Sequence, residues 1–62
     1  MNIIYGGEVD VRTEYGALNG QEGAVFLTDE DDDLDITFED IDTALEWATE
    51  LMTQLRSLEA QQ

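Results

Sequence analysis

The 62-residue chain carries 16 acidic side chains and two cationic ones, with no His and no Cys, so its formal net charge is −14. This balance excludes nucleic-acid binding through phosphate neutralisation, which needs several Lys or Arg contacts, and it opposes attachment to anionic membranes. The missing Cys and His remove disulfides, thiolate metal sites and the usual general base. Leu, Ile, Val and Phe still make up 16 of the 62 residues, about 26%, above the roughly 20% typical of disorder. We therefore expect a single folded domain, 1–62, of modest stability.

The N-terminal part predicts strands. A short apolar run, residues 3–5, ends at Gly6-Gly7, which is a candidate two-residue hairpin turn. Residues 8–15 then alternate between apolar and charged side chains, with Val9 and Val11 on the apolar face. This period of two predicts a half-buried antiparallel strand. The segment lacks the basic region of a signal peptide, and no stretch is long enough to span a membrane, so we expect a cytosolic protein.

The middle of the chain predicts a hairpin with an acidic tip. Residues 16–23 are interpreted as a loop with Asn19-Gly20 as its turn signal. Residues 24–28 form an apolar, β-prone run that should be a central strand. Five consecutive acids at 29–33 follow, and residues 34–38 alternate again. The acidic run is therefore expected to lie at the tip of a hairpin.

The last third predicts one helix, about 40–58. Thr37 or Asp40 could cap its N-terminus. Its apolar residues recur at three- and four-residue steps, which places them on one arc for packing on the sheet. They are Ile41, Ala44, Leu45, Ala48, Leu51, Met52, Leu55 and Leu58. The predicted architecture is an α+β domain, with a three- or four-stranded antiparallel sheet inside 2–38 and one C-terminal helix packed on one face.

The density of acids between Asp29 and Asp42, nine in fourteen residues, is the strongest functional signal. A charged run is ordinarily a solvated loop, but solubility of a small domain needs a net charge of only about 2–8 in magnitude. A compact 62-residue domain would be about 27 Å across, and its 16 carboxylates would match the charge of about 27 Å of duplex DNA. Crowded like charges also predict raised carboxyl pKa values and greatest stability at mildly acidic pH.

Calcium binding and catalysis are the competing interpretations of these acids. Counting Asp29 as position 1 of an EF-hand loop, the required Gly and bidentate Glu are replaced by Leu34 and Asp40. Catalytic carboxylates would need a cleft to hold them at a fixed separation, and a domain this small has little room for one. We therefore expect no enzymatic activity, no cofactor and no specific metal site.

The small size, the absence of Lys and the Asp-rich hairpin resemble the DNA-mimic inhibitors that bacteriophages and mobile elements encode. The whole chain is most similar to the small acidic anti-CRISPR proteins directed at type I systems. The resemblance implies binding to the positively charged DNA channel of the Cascade surveillance complex, in the cytoplasm of an infected bacterium, so that target DNA is kept out. The residues carried into this partner-binding role are Asp29, Glu30, Asp31, Asp32, Asp33, Asp35, Glu39, Asp42, Glu46 and Glu50.

Two other functions stay open at this point. One is an acidic, antitoxin-like or assembly partner of a basic protein unrelated to DNA. The other is a calcium-binding module. The sequence is compatible with a monomer or a homodimer in each case.

Overall fold

The computed structural model describes residues 2–62 and contains one sheet and one helix. The strands are β1 (Val11–Leu18), β2 (Gln21–Asp29) and β3 (Asp35–Phe38), and the helix is α1 (Ile41–Glu59). The sheet has the order β1-β2-β3, and both pairings are antiparallel. The predicted α+β class is confirmed, with three strands and with β2 at the centre of the sheet. No helix in residues 2–62 is long and apolar enough to cross a membrane.

The predicted N-terminal hairpin is wrong. Residues 2–10 contain no strand, and β1 begins only at Val11. Val11 pairs with Asp29, the last residue of β2. Residues 8–10 therefore alternate in sequence but have no remaining length of β2 with which to form a ladder.

The first hairpin is tighter than the sequence predicted. Asn19 and Gly20 both have positive φ angles, 53° and 81°, as a two-residue type I′ turn requires. The register shifts between Gly16 and Ala17, where Gly23 is the extra residue on β2 with a φ of 102°. A Gly bulge of this kind lets the ladder continue on both sides. Most of the loop predicted at 16–23 is therefore strand.

The core is small and lies where β2 and β3 meet the helix. Val25 and Phe38 are buried and pair directly across the two strands, so both side chains project from the same face of the sheet. The ring of Trp47 lies 5.4 Å from that of Phe38, tilted by 57°, an arrangement that aromatic pairs favour. Ala24, on the opposite face of β2, is the third buried apolar residue described.

The helix begins where the capping pattern predicts. The side chain of Asp40 accepts a hydrogen bond of 2.7 Å from the backbone N–H of Thr43, and its backbone is extended, as an N-cap residue requires. Asp42 in the first turn and Arg56 in the last turn both complement the helix dipole.

The predicted burial of the helix face is wrong. Leu45, Met52 and Leu55 are 58%, 54% and 53% exposed, and no residue of α1 is buried. Trp47, at the edge of the predicted arc, packs on Phe38, which turns Leu45, Met52 and Leu55 away from the sheet by about 80–160° around the helix axis. The 19-residue helix is therefore held mainly near its first turns. The result is an elongated molecule of 45 × 25 × 19 Å with a radius of gyration of 13.7 Å, against about 10–11 Å for a compact chain of this length.

Candidate functional site

Exposed carboxylates cover the molecule. Fifteen of the sixteen acidic residues are exposed, and Asp29, at 4% exposure, is the exception. Within residues 2–62, one ion pair is formed, in which the guanidinium of Arg12 lies 3.9 Å from the carboxylate of Asp32. The negative field over the rest of the surface is therefore hardly neutralised by the protein itself.

The acidic tip, which we define as residues 29–35, is an ordered turn. Its hydrogen bonds converge on Asp29, the residue that ends β2. One carboxylate oxygen of Asp29 accepts the backbone N–H of Asp33 at 2.7 Å, and the other accepts the hydroxyl of Tyr5 at 2.7 Å. Its backbone carbonyl accepts the N–H of Asp32 at 3.2 Å and an N–H of Arg12 at 3.3 Å. Asp29 therefore organises the tip from inside.

The hydrogen bonds at Asp29 shift the pKa values of both Asp29 and Tyr5. Donation by the Tyr5 hydroxyl, joined by backbone N–H groups, holds the pKa of the Asp29 carboxyl below its ordinary value of 3.8. The same bond raises the pKa of Tyr5 to about 12. The pKa of Asp40 is also lowered, because the backbone and side chain of Thr43 donate to its carboxylate. For Asp29 and Asp40 the predicted rise in pKa is therefore wrong.

The other tip acids project outward. Glu30, Asp31, Asp32 and Asp33 are all exposed. Asp32 has a φ of 58°, a left-handed conformation that Asp tolerates better than most residues. Asp35 opens β3 opposite Thr28 and is exposed as well. The tip thus presents five carboxylates on one fixed turn.

The remaining predicted site residues lie away from the tip. Glu39 follows β3 and lines a shallow concavity of about 190 Å³ together with Glu22 and the first hairpin turn. Asp42, Glu46 and Glu50 are exposed along α1, at steps of about 6 Å, and we call these three the helix stripe. Glu50 accepts a hydrogen bond of 3.1 Å from the side chain of Gln54. The tip and the start of α1 lie at opposite ends of β3, so the ten predicted residues form two patches with Glu39 near the second.

Sequence reasoning missed the two residues that hold the tip in place. Tyr5 is 24 positions from Asp29, and Arg12 is 17 positions from it. Neither separation corresponds to a local motif, so no sequence pattern could have indicated these contacts. Glu22, which joins Glu39 only through the fold, was missed for the same reason.

The concave surfaces are lined by few titratable side chains. The largest concavity described, about 570 Å³, opens over Tyr15, Ala17, Glu22 and the backbone of two glycines. Glu22 is the one titratable carboxylate among these lining residues. Within residues 2–62, no three acidic side chains converge in a way that would hold a metal ion.

The shape of the molecule changes the comparison with DNA. Along the 45 Å axis, 14 net charges amount to about one per 3.2 Å, close to the roughly 3.4 Å between charges along one strand of a duplex. The duplex-like density expected for a compact sphere is therefore replaced by the charge density of a single strand.

No protein-family model matches the sequence, and neither curated proteins nor solved structures match it at a significant level.

Proposed function

We propose that this protein is a DNA-mimic inhibitor that occupies the DNA-binding channel of a type I CRISPR surveillance complex, Cascade, and so prevents binding of target DNA. The observation that carries the proposal is the elongated surface on which fifteen carboxylates are exposed, with an average net charge per unit length close to that of one DNA strand. A channel that binds DNA by its phosphates does so largely through Lys and Arg side chains, to which exposed carboxylates are complementary.

The acidic tip is the better-organised half of the proposed binding surface. Its backbone is fixed by the four hydrogen bonds that converge on Asp29. Little backbone entropy is then lost when the exposed carboxylates of residues 30–33 meet cationic side chains. Asp29 itself supports this surface from a buried position and is not among the carboxylates that would contact the partner.

The helix stripe supplies a second line of carboxylates on a rigid element. Asp42, Glu46 and Glu50 follow one side of α1, and helical geometry fixes their mutual spacing. Together the two patches would steer the protein to a cationic channel at a rate that falls with ionic strength.

Competition with DNA is the direct test of the proposed function. Purified, guide-loaded type I Cascade complexes are incubated with fluorescent target duplex and with increasing amounts of this protein, and the bound DNA is measured by gel shift. We expect the protein to displace DNA, and DNA in excess to displace the protein. A ternary complex of Cascade, duplex and this protein would contradict occlusion of the DNA site. Binding to a basic protein with no response to DNA would instead favour the acidic assembly partner.

Grouped charge reversals identify the patch that faces the partner. One variant changes Asp31, Asp33 and Asp35 to Lys, and a second changes Asp42, Glu46 and Glu50 to Lys. A matched control reverses three exposed acids outside both patches, namely Glu14, Glu22 and Glu59. All three variants change the net charge equally. The contacting patch should lose binding by well over tenfold, mainly through slower association, whereas equal losses in all three would show that only net charge matters.

A further inference from the structure

The exposed apolar side of α1 has the spacing of a coiled-coil seam. We call Ile41, Leu45, Ala48, Met52 and Leu55 the apolar seam. Their steps of four, three, four and three residues are those of alternating a and d positions in a heptad. All five side chains are exposed, and they lie about 80–160° around the helix axis from Trp47, whose ring contacts the sheet. The seam is therefore unpartnered within the described chain.

One edge of this seam carries charge in a pattern that can complement itself. Asp42, Thr49 and Arg56 are seven residues apart and flank the seam on the same side. Arg56 is one of only two cations in the sequence, and the other, Arg12, is engaged with the acidic tip. Beside Arg56, the residues Met52, Leu55 and Glu59 line a groove of about 300 Å³.

We propose that two copies of this chain associate through their apolar seams as antiparallel helices, with Asp42 of each copy facing Arg56 of the other. An antiparallel pair centred near residue 50 places Leu45 of one copy against Leu55 of the other, and Met52 against Ala48. The same alignment brings Thr49 of the two copies together near the two-fold axis. Because the interface is isologous, the charge pair forms twice.

The charge pattern favours a second copy in this orientation. In a parallel pair each of these flanking positions would face the other edge of the partner's seam, where Ala44 and Leu51 lie, so neither Asp42 nor Arg56 would meet an opposite charge. The acids Glu46 and Glu50 lie on the far side of α1 from the seam and point away from the second copy. A helix about 28 Å long on each side supplies an interface at the lower end of the size range for specific association, so we expect a weak dimer.

The dimer does not rest on the proposed function, although Asp42 belongs to both surfaces, and it has the opposite response to salt. Two chains of charge −14 repel each other, so added salt should strengthen their association by screening. Binding of the acidic surface to a cationic partner should instead weaken with salt. Self-association is measured without any partner, so failure of the dimer and failure of the inhibitor hypothesis are distinguishable.

Sedimentation equilibrium tests whether the seam associates. The parent, of 7.0 kDa, should shift toward twice that mass as protein concentration rises to about 1 mM, the range of weak complexes, and more so in high salt. Leu45→Glu should abolish this shift, because it places a charge in the seam. Ser57→Glu adds the same charge on the opposite side of α1 and should still dimerise. A parent that stays monomeric at high salt, or equal effects of the two variants, would overturn the proposal.

Charge exchange tests the antiparallel alignment. Asp42→Arg or Arg56→Asp alone should weaken homodimerisation about tenfold, since each replaces two attractions by two repulsions. The double variant should recover dimerisation, although both changes oppose the helix dipole, so recovery would not reflect a more stable helix. An equimolar mixture of the two single variants should form heterodimers in preference to either homodimer, as measured by native mass spectrometry. Lack of recovery, or a statistical mixture of dimers, would rule out the Asp42–Arg56 pairing.

Discussion

The acidic tip and the helix α1 both differ from what their composition predicts, which is a mobile charged loop and a buried apolar helix face. The tip is the most charged segment of the chain, yet it is fixed by hydrogen bonds that converge on the buried Asp29. The helix has the strongest apolar periodicity, yet none of its residues is buried. A charged run therefore becomes ordered when backbone groups and a few side chains satisfy its turn, whereas an apolar face is buried only if the fold turns it toward another apolar surface.

The stability of the single chain depends on how α1 is attached to the sheet. The helix is attached to the sheet through Trp47 and Phe38 near its first turns, and its exposed apolar surface contributes little to folding of the single chain. The free energy of unfolding therefore depends on a few side chains around β2 and β3. Substitutions can separate these side chains from the exposed ones.

The largest expected effect on the free energy of unfolding comes from the buried residue Phe38. Phe38→Ala should cost about 3–5 kcal/mol, because it removes a buried ring that packs on Trp47 and lies opposite Val25. Leu55→Ala, at 53% exposure, should change the free energy of unfolding by only about 0.5 kcal/mol. Urea denaturation at low micromolar concentration, below any self-association, measures both.

A reversal of these two effects would show that the helix packs its seam on the sheet after all. The matched control is Leu45→Ala, which lies in the same seam at similar exposure. It should behave like Leu55→Ala.

The next effect concerns Gly16, where strand β1 passes under an aromatic ring. A Cβ added at Gly16 would clash with the ring of Phe26, which lies over the glycine on the face opposite Val25 and Phe38. Gly16→Ala should therefore cost about 1–3 kcal/mol through overpacking. Gly6→Ala is the control, since nothing lies within 4 Å of its added Cβ, and thermal melts should leave it close to the parent. If the two glycine variants melt alike, the Phe26 ring does not cover Gly16 in solution.

The sequence predicted the parts of the fold that depend on local chemistry. The Asn19-Gly20 turn, the central strand, the acidic tip and the Asp40 cap each follow from side chains within a few positions of one another. Pairings between residues far apart in the sequence could not be predicted from it. The end of β2 at Asp29 leaves residues 8–10 without a partner, and no pattern within those residues indicates this.

The sequence predicted which acidic residues would be exposed, but it did not predict how the fold arranges them. Exposure of nine of the ten proposed partner-binding acids could be expected from their charge, because isolated ions are costly to bury. The burial of Asp29 could not, because it depends on Tyr5, far away in the sequence. Division of the acids into a tip and a helix stripe likewise depends on the length of β3 and on the direction in which α1 leaves it.

The smallest effect tests how the ordered tip responds to pH. Tyr5→Phe removes the hydroxyl that donates to Asp29, which is the main cause of the lowered pKa of that carboxyl. A carboxyl with a lowered folded pKa contributes stability above its unfolded pKa, near 3.8, and loses this contribution as pH falls through the folded value. Tyr5, with its pKa raised to about 12, contributes below its unfolded pKa and loses the contribution as pH rises through about 12.

The parent should therefore be more stable than Tyr5→Phe from neutral pH up to about pH 10, and the two should converge on the acid side below the folded pKa of Asp29. Thermal melts between pH 2 and pH 7 measure the convergence, because both the ionised Asp29 and the protonated Tyr5 are needed for the hydrogen bond. Tyr15→Phe is the control, since Tyr15 is 70% exposed, and it should follow the parent at every pH. If the parent and Tyr5→Phe differ by a constant amount down to pH 2, the Tyr5–Asp29 bond is not what orders the tip, and the N-terminal segment contributes through its apolar contacts instead.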